Sequence, residues 1–317
     1  MKDKILTVTL NPCIDKTIEL SDFKKGEVNR IENSRTDAGG KGINASRVLS
    51  ECDIKSIALS IVGGKTGELL ESLLRSENVQ FDFLKTDGET RTNYKVYDSK
   101  SFETTDINES GININEDILN EFYQLLIKYL PSTSVLILAG SIPPGCKKTI
   151  YSDITTLAKE YEVKVIVDAD GELLKYAIDS VPYAIKPNIH ELETLIGREL
   201  NSEEDIISAI SELSKKGISL ICVSVGKDGA YFYKDGQVIK TKPLKVNVKS
   251  AVGCGDSMVA SIAYSTVHSH SLETTAKIAT AAGSLTASKD GTNTCKIDEA
   301  IDASKDIEFE MIKFLEL

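Results

Sequence analysis

The segment Ser250-Ala251-Val252-Gly253-Cys254-Gly255-Asp256-Ser257-Met258-Val259-Ala260 passes abruptly from small residues into an amphipathic helix. Backbone N–H groups from Gly253 through Asp256 should converge there on one point. Preorganised donors of that kind suit charge developing on a transferring phosphoryl group. Asp256 stands at the same helix start, and a carboxylate beside an anion hole can take a proton from an attacking hydroxyl. In isolation it can equally be a helix cap.

A second segment, Asp37-Ala38-Gly39-Gly40-Lys41-Gly42-Ile43-Asn44, also opens a helical stretch. Its glycines let backbone N–H groups approach a ligand, and a helix start favours an anion. Lys41 adds a full charge, and Asn44 lies one turn into the helix, facing the same mouth. Turn geometry alone is the other explanation. A third segment, Lys186-Pro187-Asn188-Ile189-His190-Glu191, follows an apolar run and opens another helix. Asn188 and Glu191 share a helical face. They are either a capping pair or two oxygen donors for a hydrated magnesium ion. A fourth, Ser224-Val225-Gly226-Lys227-Asp228-Gly229-Ala230, is a strand end running into a glycine turn and is weak by itself. Gly63-Gly64-Lys65-Thr66 is not a P-loop, because that motif needs glycine where Leu59 stands.

The elements that must position these groups alternate along the chain. Residues 5–10, 56–62, 135–139, 163–167, 183–185 and 220–225 are rich in Val, Ile and Leu and read as buried strands. Ile118, Leu119, Phe122, Leu125, Leu126 and Tyr129 fall on one helical face, as do Ile206, Ile207, Ile210 and Leu213. The pattern predicts an α/β fold, a mostly parallel sheet with helices on both sides. Residues 14–20 and 91–97 alternate apolar and polar instead, so each has one wet face. Period two puts Arg91, Asn93 and Lys95 on one face of the second, with Thr92, Tyr94 and Val96 on the other. The turns at residues 88–90 and 106–111 should bracket a hairpin. Such strands suggest a small separate sheet, a lid over a site; an ordinary edge hairpin is the alternative.

With 317 residues, 41% hydrophobic and 27% charged, the chain is ordinary globular usage, which excludes wholesale disorder. No Pro/Gly/Ser-rich linker divides it, so one domain over residues 1–317 is expected, with lid strands inserted at roughly 12–37 and 88–110. A net charge of −11 argues against a nucleic-acid partner but not against a small phosphorylated substrate, which needs only local cations. Six scattered cysteines suggest neither a zinc cage nor a disulfide framework. The N-terminus lacks a signal-peptide pattern, and no apolar run approaches the roughly 20 residues of a membrane span. A reduced, soluble cytoplasmic protein with no membrane partner is expected. His190, His268 and His270 have no spacing to a nucleophilic serine, so a triad hydrolase is unsupported; His268 and His270 read as solvated helix-end residues rather than metal ligands. A nicotinamide dehydrogenase is disfavoured, since Leu10-Asn11-Pro12-Cys13 follows the first strand where G-x-G-x-x-G would stand.

Taken together and in this order, the motifs resemble those of the PfkB, or ribokinase-like, carbohydrate kinases. Asp37 through Asn44 is similar to that family's N-terminal glycine signature, Val252 through Ser257 to its C-terminal signature, and Asn188 with Glu191 to its N-x-x-E element. Within the family the chain is most similar to the branch that phosphorylates fructose 1-phosphate. The stretches that carry this are Thr9-Leu10-Asn11-Pro12-Cys13-Ile14-Asp15-Lys16-Thr17, Gly26-Glu27-Val28-Asn29-Arg30, Thr90-Arg91-Thr92-Asn93 and Gly255 through Ala260. The tagatose-6-phosphate branch shares much of this; Lys16-Thr17 and Met258 favour fructose 1-phosphate. A catalytically idle sugar-phosphate sensor on the same fold is the non-enzyme alternative.

The resemblance implies a three-layer α/β/α fold with a small β-sheet lid, and ATP and Mg2+ as cofactors; an open lid sheet with exposed edges could pair with a second copy. It implies that Asp256 is the base and that Gly253, Cys254 and Gly255 form the anion hole. Asp15, Gly39, Gly40 and Asn44 would hold sugar hydroxyls, while Lys41 and Arg91 would meet the substrate's phosphate. Lys186, Asn188, Ser224 and Gly226 would line the nucleotide site, and Glu191 would organise magnesium through water. The helix near residues 276–285 would wall the adenine pocket, with core packing as the other explanation. Two positions depart from the family pattern. Cys254 replaces the usual alanine or serine, which should spare activity but expose it to thiol reagents; Ser261 replaces a frequent glycine and leaves local helix packing open.

Overall fold

The computed structural model describes residues 2–313; Met1 and residues 314–317 of the expected 1–317 span lie outside it. Ten strands form the large sheet. Their spatial order is β5 (Phe81–Lys85), β4 (Lys55–Val62), β1 (Lys4–Thr9), β8 (Thr133–Ala139), β9 (Lys164–Asp168), β10 (Ala184–Ile185), β11 (Leu220–Ser224), β12 (Ala230–Lys234), β13 (Gln237–Thr241) and β14 (Phe309–Ile312). From β5 to β11 every pairing is parallel, and β11 to β14 are antiparallel. Each of the six apolar runs named from the sequence is a strand of this sheet.

Among the described residues ten α-helices accompany the strands: α1 (Lys41–Val48), α2 (Gly64–Ser76), α3 (Glu116–Tyr129), α4 (Ile150–Glu160), α5 (Gly171–Asp179), α6 (Ile189–Ile196), α7 (Glu203–Ser214), α8 (Cys254–Val267), α9 (Leu272–Ala287) and α10 (Ile297–Ala303). Alternation along β1 divides the core. Leu6 and Val8 pack with Phe122, Tyr151, Leu174 and Ile210 from α3, α4, α5 and α7, whereas Ile5 packs with Val48, Val259 and Ala279 from α1, α8 and α9. This is the three-layer arrangement that buried parallel strands require, since both sheet faces must leave water.

A second sheet has the order β3 (Asn33–Gly39), β2 (Cys13–Leu20), β6 (Arg91–Asp98), β7 (Glu103–Asn108). The two half-polar stretches are β2 and β6, and they pair in parallel, with Asp15 opposite Asn93. β6 and β7 form the expected hairpin. Its turn, however, lies at residues 99–102, and residues 106–108, read from the sequence as a flanking turn, are the end of β7. Glycine and asparagine nearby suggested a turn, but pairing with β6 satisfies that backbone instead. Ile14 of β2 and Ala38 of β3 pack with Leu70 and Leu74 of α2 and Ile43 of α1, which fixes the base of the small sheet to the body.

From β1 the chain adds β4 and β5 on one side, then returns to place β8 through β11 on the other. The order therefore reverses beside β1, and ligands of open α/β sheets bind outside the carboxyl ends of the strands at such a point.

Candidate active site

A cleft of about 1660 Å3 opens at that point, between the carboxyl ends of the large sheet and the small one. Single ligand pockets typically span roughly 300–1,000 Å3, so there is room for two substrates end to end. Asp15, Gly40, Lys41, Asn44, Arg91, Lys186, Asn188, Glu191, Ser224, Gly226, Gly253, Cys254, Gly255 and Asp256 all line it. Of the residues expected from the sequence only Gly39 does not. It abuts Asp15 instead: a Cβ there would stand 2.8 Å from the Asp15 carboxylate and 2.6 Å from Cys13 Sγ, so no larger residue fits.

At the centre is the start of α8. Gly253 is its N-cap, with a left-handed φ of 79°, and Cys254, Gly255 and Asp256 form the first turn. The first N–H groups of a helix have no partner within it, so this turn presents bare donors to the cleft. Asp256 is buried, and its Oδ2 accepts a 2.8 Å hydrogen bond from Asn44 Nδ2. Burial, and then the field of Asp168, push the Asp256 carboxyl up to about 6, against the Asn44 bond and the Lys41 and Lys186 ammoniums. The N-cap is Gly253 and not Asp256, whose side chain bonds Asn44 instead, so the cap explanation does not describe it.

Asp168 is the residue that motif reading missed. It ends β9, is 1% exposed, and its Oδ1 lies 3.3 Å from Lys41 Nζ and 3.6 Å from Lys186 Nζ. Burial alone would raise its affinity for a proton, but Lys186 and Lys41 reverse that and hold the carboxyl below its ordinary range. In return Asp168, opposed by burial and helped by Glu191 and Asp256, holds Lys41 firmly as an ammonium. The sequence did carry one signal: an acidic residue at the carboxyl end of a buried parallel strand, where α/β sites are built. Lys186 Nζ would be 3.0 Å from a Cβ at Gly255, so glycine there lets the ammonium reach the helix start.

The remaining expected residues divide between the two ends. Asn188 and Glu191 form a complete capping box at the start of α6: Asn188 Oδ1 accepts from Glu191 N at 2.9 Å, and Glu191 Oε2 accepts from Asn188 N at 2.8 Å. Glu191 Oε1 stays outside the box, 3.9 Å from Lys41 Nζ. Among the described residues no cluster of three His, Cys, Asp or Glu side chains could cage a metal. At the far end, Arg91 Nε and Nη2 donate to the Asn11 carbonyl at 3.2 and 2.9 Å, and Nη1 donates to the Glu109 carbonyl at 3.2 Å. Lys41 and Arg91, expected together on one phosphate, thus have different partners. Arg91, Asn93 and Lys95 do face the cleft together, as period two required. Asn93 Nδ2 donates to Cys13 Sγ and Cys13 Sγ to Asp15 Oδ1, yet Asn93 Oδ1 and Thr9 Oγ1 are buried without any partner. Orphaned polar atoms on a cleft wall are satisfied when a polar ligand arrives.

The departures at Cys254 and Ser261 have local answers. Burial, and then the Asp256 charge, push the Cys254 thiol up to about 11, which leaves little thiolate at neutral pH and slow reaction with thiol reagents. Ser261 is fully buried and its hydroxyl donates to the Ser257 carbonyl at 2.9 Å, so the extra polar group is paired inside α8. Thr280, Gly283, Ser284 and Ala287 of α9 wall the cleft while Ala276, Ile278, Ala279 and Ala282 join the core, so one face of the helix lines the cleft and another packs inside. His268 is exposed and stacks on the half-buried His270 with ring centroids 5.4 Å apart; the pair belongs to the far end of α8 and not to the cleft. All six cysteines are free, and among the described residues no helix is long and apolar enough to cross a membrane.

Known proteins are similar to this chain in sequence and architecture. The chain is 35% identical over 298 residues to the 1-phosphofructokinase of Borreliella burgdorferi, covering 93% of this chain and 94% of that protein. It is 35% identical over 301 residues to the tagatose-6-phosphate kinase of Staphylococcus epidermidis, covering 93% and 96%. The crystal structure of phosphofructokinase-2 from Escherichia coli in complex with substrates and products superposes with a TM-score of 0.90 at 30% identity, over 95% of this chain and 98% of that one. Residues 8–300 match the pfkB family of carbohydrate kinases, and the chain belongs to that family.

Proposed function

We propose that this kinase transfers the γ-phosphoryl group of ATP to fructose 1-phosphate, giving fructose 1,6-bisphosphate. The observation that carries the reading is the buried Asp256 carboxylate in the first turn of α8, with one oxygen held by Asn44. Its other oxygen, Oδ1, is left to accept the proton of the sugar's acceptor hydroxyl as that oxygen attacks. The bare N–H groups of Gly253 to Gly255 meet the charge developing on the transferring group. Lys186, and Lys41 held beside it by Asp168, add positive charge at the same place. Lys41 serves this end of the cleft in our reading, and Arg91 the phosphate already on the sugar, because its guanidinium lines the cleft at the start of β6 and a charge-assisted bond to phosphate is stronger than its bonds to the Asn11 and Glu109 carbonyls. Asp15, Asn93 Oδ1 and Thr9 Oγ1 supply polar partners for sugar hydroxyls. Asn188, Ser224 and Gly226 line the nucleotide end.

Magnesium fits the residues present. Glu191 Oε1 is not used by the capping box, and an ion that keeps its waters needs only one or two carboxylates besides phosphate oxygens. Glu191 would hold it through water, and the ion would neutralise charge on the nucleotide phosphates. Two further elements belong to the same proposal. The six free thiols suit the reducing cytoplasm. A homodimer would form through the small sheet, where Val28, Ile31, Phe102 and Ile107 are exposed and β3 and β7 have open edges. Sedimentation equilibrium should then return twice the 34.5 kDa chain mass; a monomer at micromolar concentration would rule the dimer out.

ADP release measured against fructose 1-phosphate and tagatose 6-phosphate decides the substrate. Preference for fructose 1-phosphate of at least about tenfold in kcat/KM is expected, equivalent to about 1.4 kcal/mol; the reverse preference would make tagatose 6-phosphate the substrate, as the equal identity to the Staphylococcus enzyme allows. No ADP release with either sugar would favour a sensor. In the same assay Arg91→Ala should raise the KM for the sugar phosphate far more than that for ATP. Equal effects on both would refute its assignment.

A further inference from the structure

Arg47 is a buried arginine that the account above does not use. It is 4% exposed on α1, one turn beyond Asn44 and on the same helical face. Its guanidinium works in three directions. Nε donates to Glu77 Oε2 at 2.5 Å, and Nη1 donates to the Thr292 carbonyl at 2.9 Å and to Asn44 Oδ1 at 3.4 Å. Glu77 is the C-cap of α2, and the loop of Thr292 runs to Thr294, whose methyl group would lie 3.4 Å from a Cβ at Gly253. One guanidinium thus ties together α1, the end of α2 and the loop beside the start of α8.

The bond to Asn44 has a chemical consequence. An amide has an accepting end and a donating end, whereas a guanidinium offers donors only. The end of the Asn44 amide that faces Arg47 must therefore be the oxygen, and the NH2 is left facing Asp256 Oδ2. With the amide turned over, its oxygen would oppose the carboxylate and its NH2 would oppose the guanidinium, two repulsive contacts in a buried place. We propose that Arg47, which does not line the cleft, fixes the polarity of the Asn44 amide and so keeps a hydrogen-bond donor aimed at Asp256: it is a positioning residue for the base. The inference rests on the reading of Asp256 as that base. A lysine does not replace it, because a single ammonium cannot serve Glu77, Asn44 and Thr292 from one plane.

The test is the pH profile of kcat for Arg47→Met, with Arg47→Lys and Glu77→Gln beside it. Losing one hydrogen bond to a charged group should move the acid limb of Arg47→Met upward by about one pH unit. That lowers kcat about fivefold at pH 6 and leaves it within about twofold at pH 9. Arg47→Lys should move the limb the same way, and Glu77→Gln, which leaves the Asn44 contact intact, should not move it. A fall in kcat by one factor at every pH would show a merely structural role and overturn the proposal. So would a shift in Arg47→Met with none in Arg47→Lys, since charge alone would then explain it. If Arg47→Met does not fold, Arg47→Lys decides by the same limb. Carboxyl 13C NMR of Asp256 reads the same shift without turnover. Should Asp256→Asn retain full activity, the base assignment falls while the NMR titration still tests the hold of Arg47 on Asn44; an unchanged titration in both Arg47 variants overturns that hold.

Discussion

Asp256→Asn is expected to cut kcat by at least about 100-fold, the usual scale for a general base, while the KM for the sugar phosphate changes little. Asparagine has the same shape and can still accept from Asn44 Nδ2, so the cleft keeps its form. Only the acceptor for the substrate proton is lost. The same reasoning gives the pH dependence. Burial, then the Asp168 charge, raise the carboxyl up to about 6, so activity that needs the ionised form should fall as pH drops through about 6, and the residual activity of the variant should lack this limb. Stability should move the other way. A carboxyl with folded affinity above the ordinary 3.8 stabilises the fold most below that value, and the contribution is lost as pH rises through about 6. At pH 7.5 the ionised side chain is therefore a cost, and Asp256→Asn should melt higher than the parent by thermal denaturation. Wild-type turnover in the variant would remove Asp256 from its role, and a lower melting temperature would show that the raised affinity is wrong.

What could be read from the sequence follows from how locally each feature is encoded. β1, β4, β8, β9 and β11 are legible because a strand covered on both faces needs a continuous apolar run, and such runs are rare elsewhere. The face of β6 that carries Arg91, Asn93 and Lys95 is legible because one wet face imposes period two. By contrast β3, with the sequence Asn-Ser-Arg-Thr-Asp-Ala-Gly, has no apolar alternation. It is a strand only because its backbone pairs with β2, and its service is to place Gly39 against Asp15 and Gly40 at the start of α1. In the antiparallel extension β14 joins β13 from far along the chain and has no local signal, whereas β12 and β13 meet at Asp235-Gly236, a hairpin signal that is local and that motif reading missed.

The site divides in the same way. Glycine loops at helix starts and the acid that follows one of them are local and could be named. Asn188 and Glu191 could be named but not assigned, since the spacing of a capping box and that of two oxygens on one helical face are the same. The structure shows the box, and only the free Oε1 keeps a second role open. Arg47 could not be found, since nothing around it in the chain differs from an ordinary helix, and Asp168 carried only the weak signal of an acid at the carboxyl end of a buried strand. Their importance comes from neighbours far away in sequence: Lys41 and Lys186 for Asp168, Asn44 and Thr292 for Arg47. Long-range charge pairing is what the parallel crossovers create, by delivering the end of every strand to one rim.

That dependence on distant partners makes Asp168→Asn the variant with the largest expected effect on stability. Lys186 has its side chain 5% exposed, and Asp168 is its only carboxylate partner within 4 Å among the described residues. Removing one member of a buried pair leaves the other charge uncompensated, which typically costs about 3–5 kcal/mol. Lys41 suffers less, since it is about one third exposed and keeps Glu191 at 3.9 Å. A clear fall in melting temperature is expected, and Mg-ATP should restore more of it in the variant than it adds to the parent, because phosphate oxygens supply the missing counter-charge. The proton affinity of Asp256 should respond as well. The Asp168 charge is one of the two causes that raise it, so neutralising Asp168 should move the acid limb of the remaining activity to lower pH. The direction is opposite to that expected for Arg47→Met, although both variants alter groups around the same carboxylate. Parallel shifts in the two, or an Asp168→Asn protein that melts with the parent, would mean that the charges around Asp256 do not govern it through the contacts described.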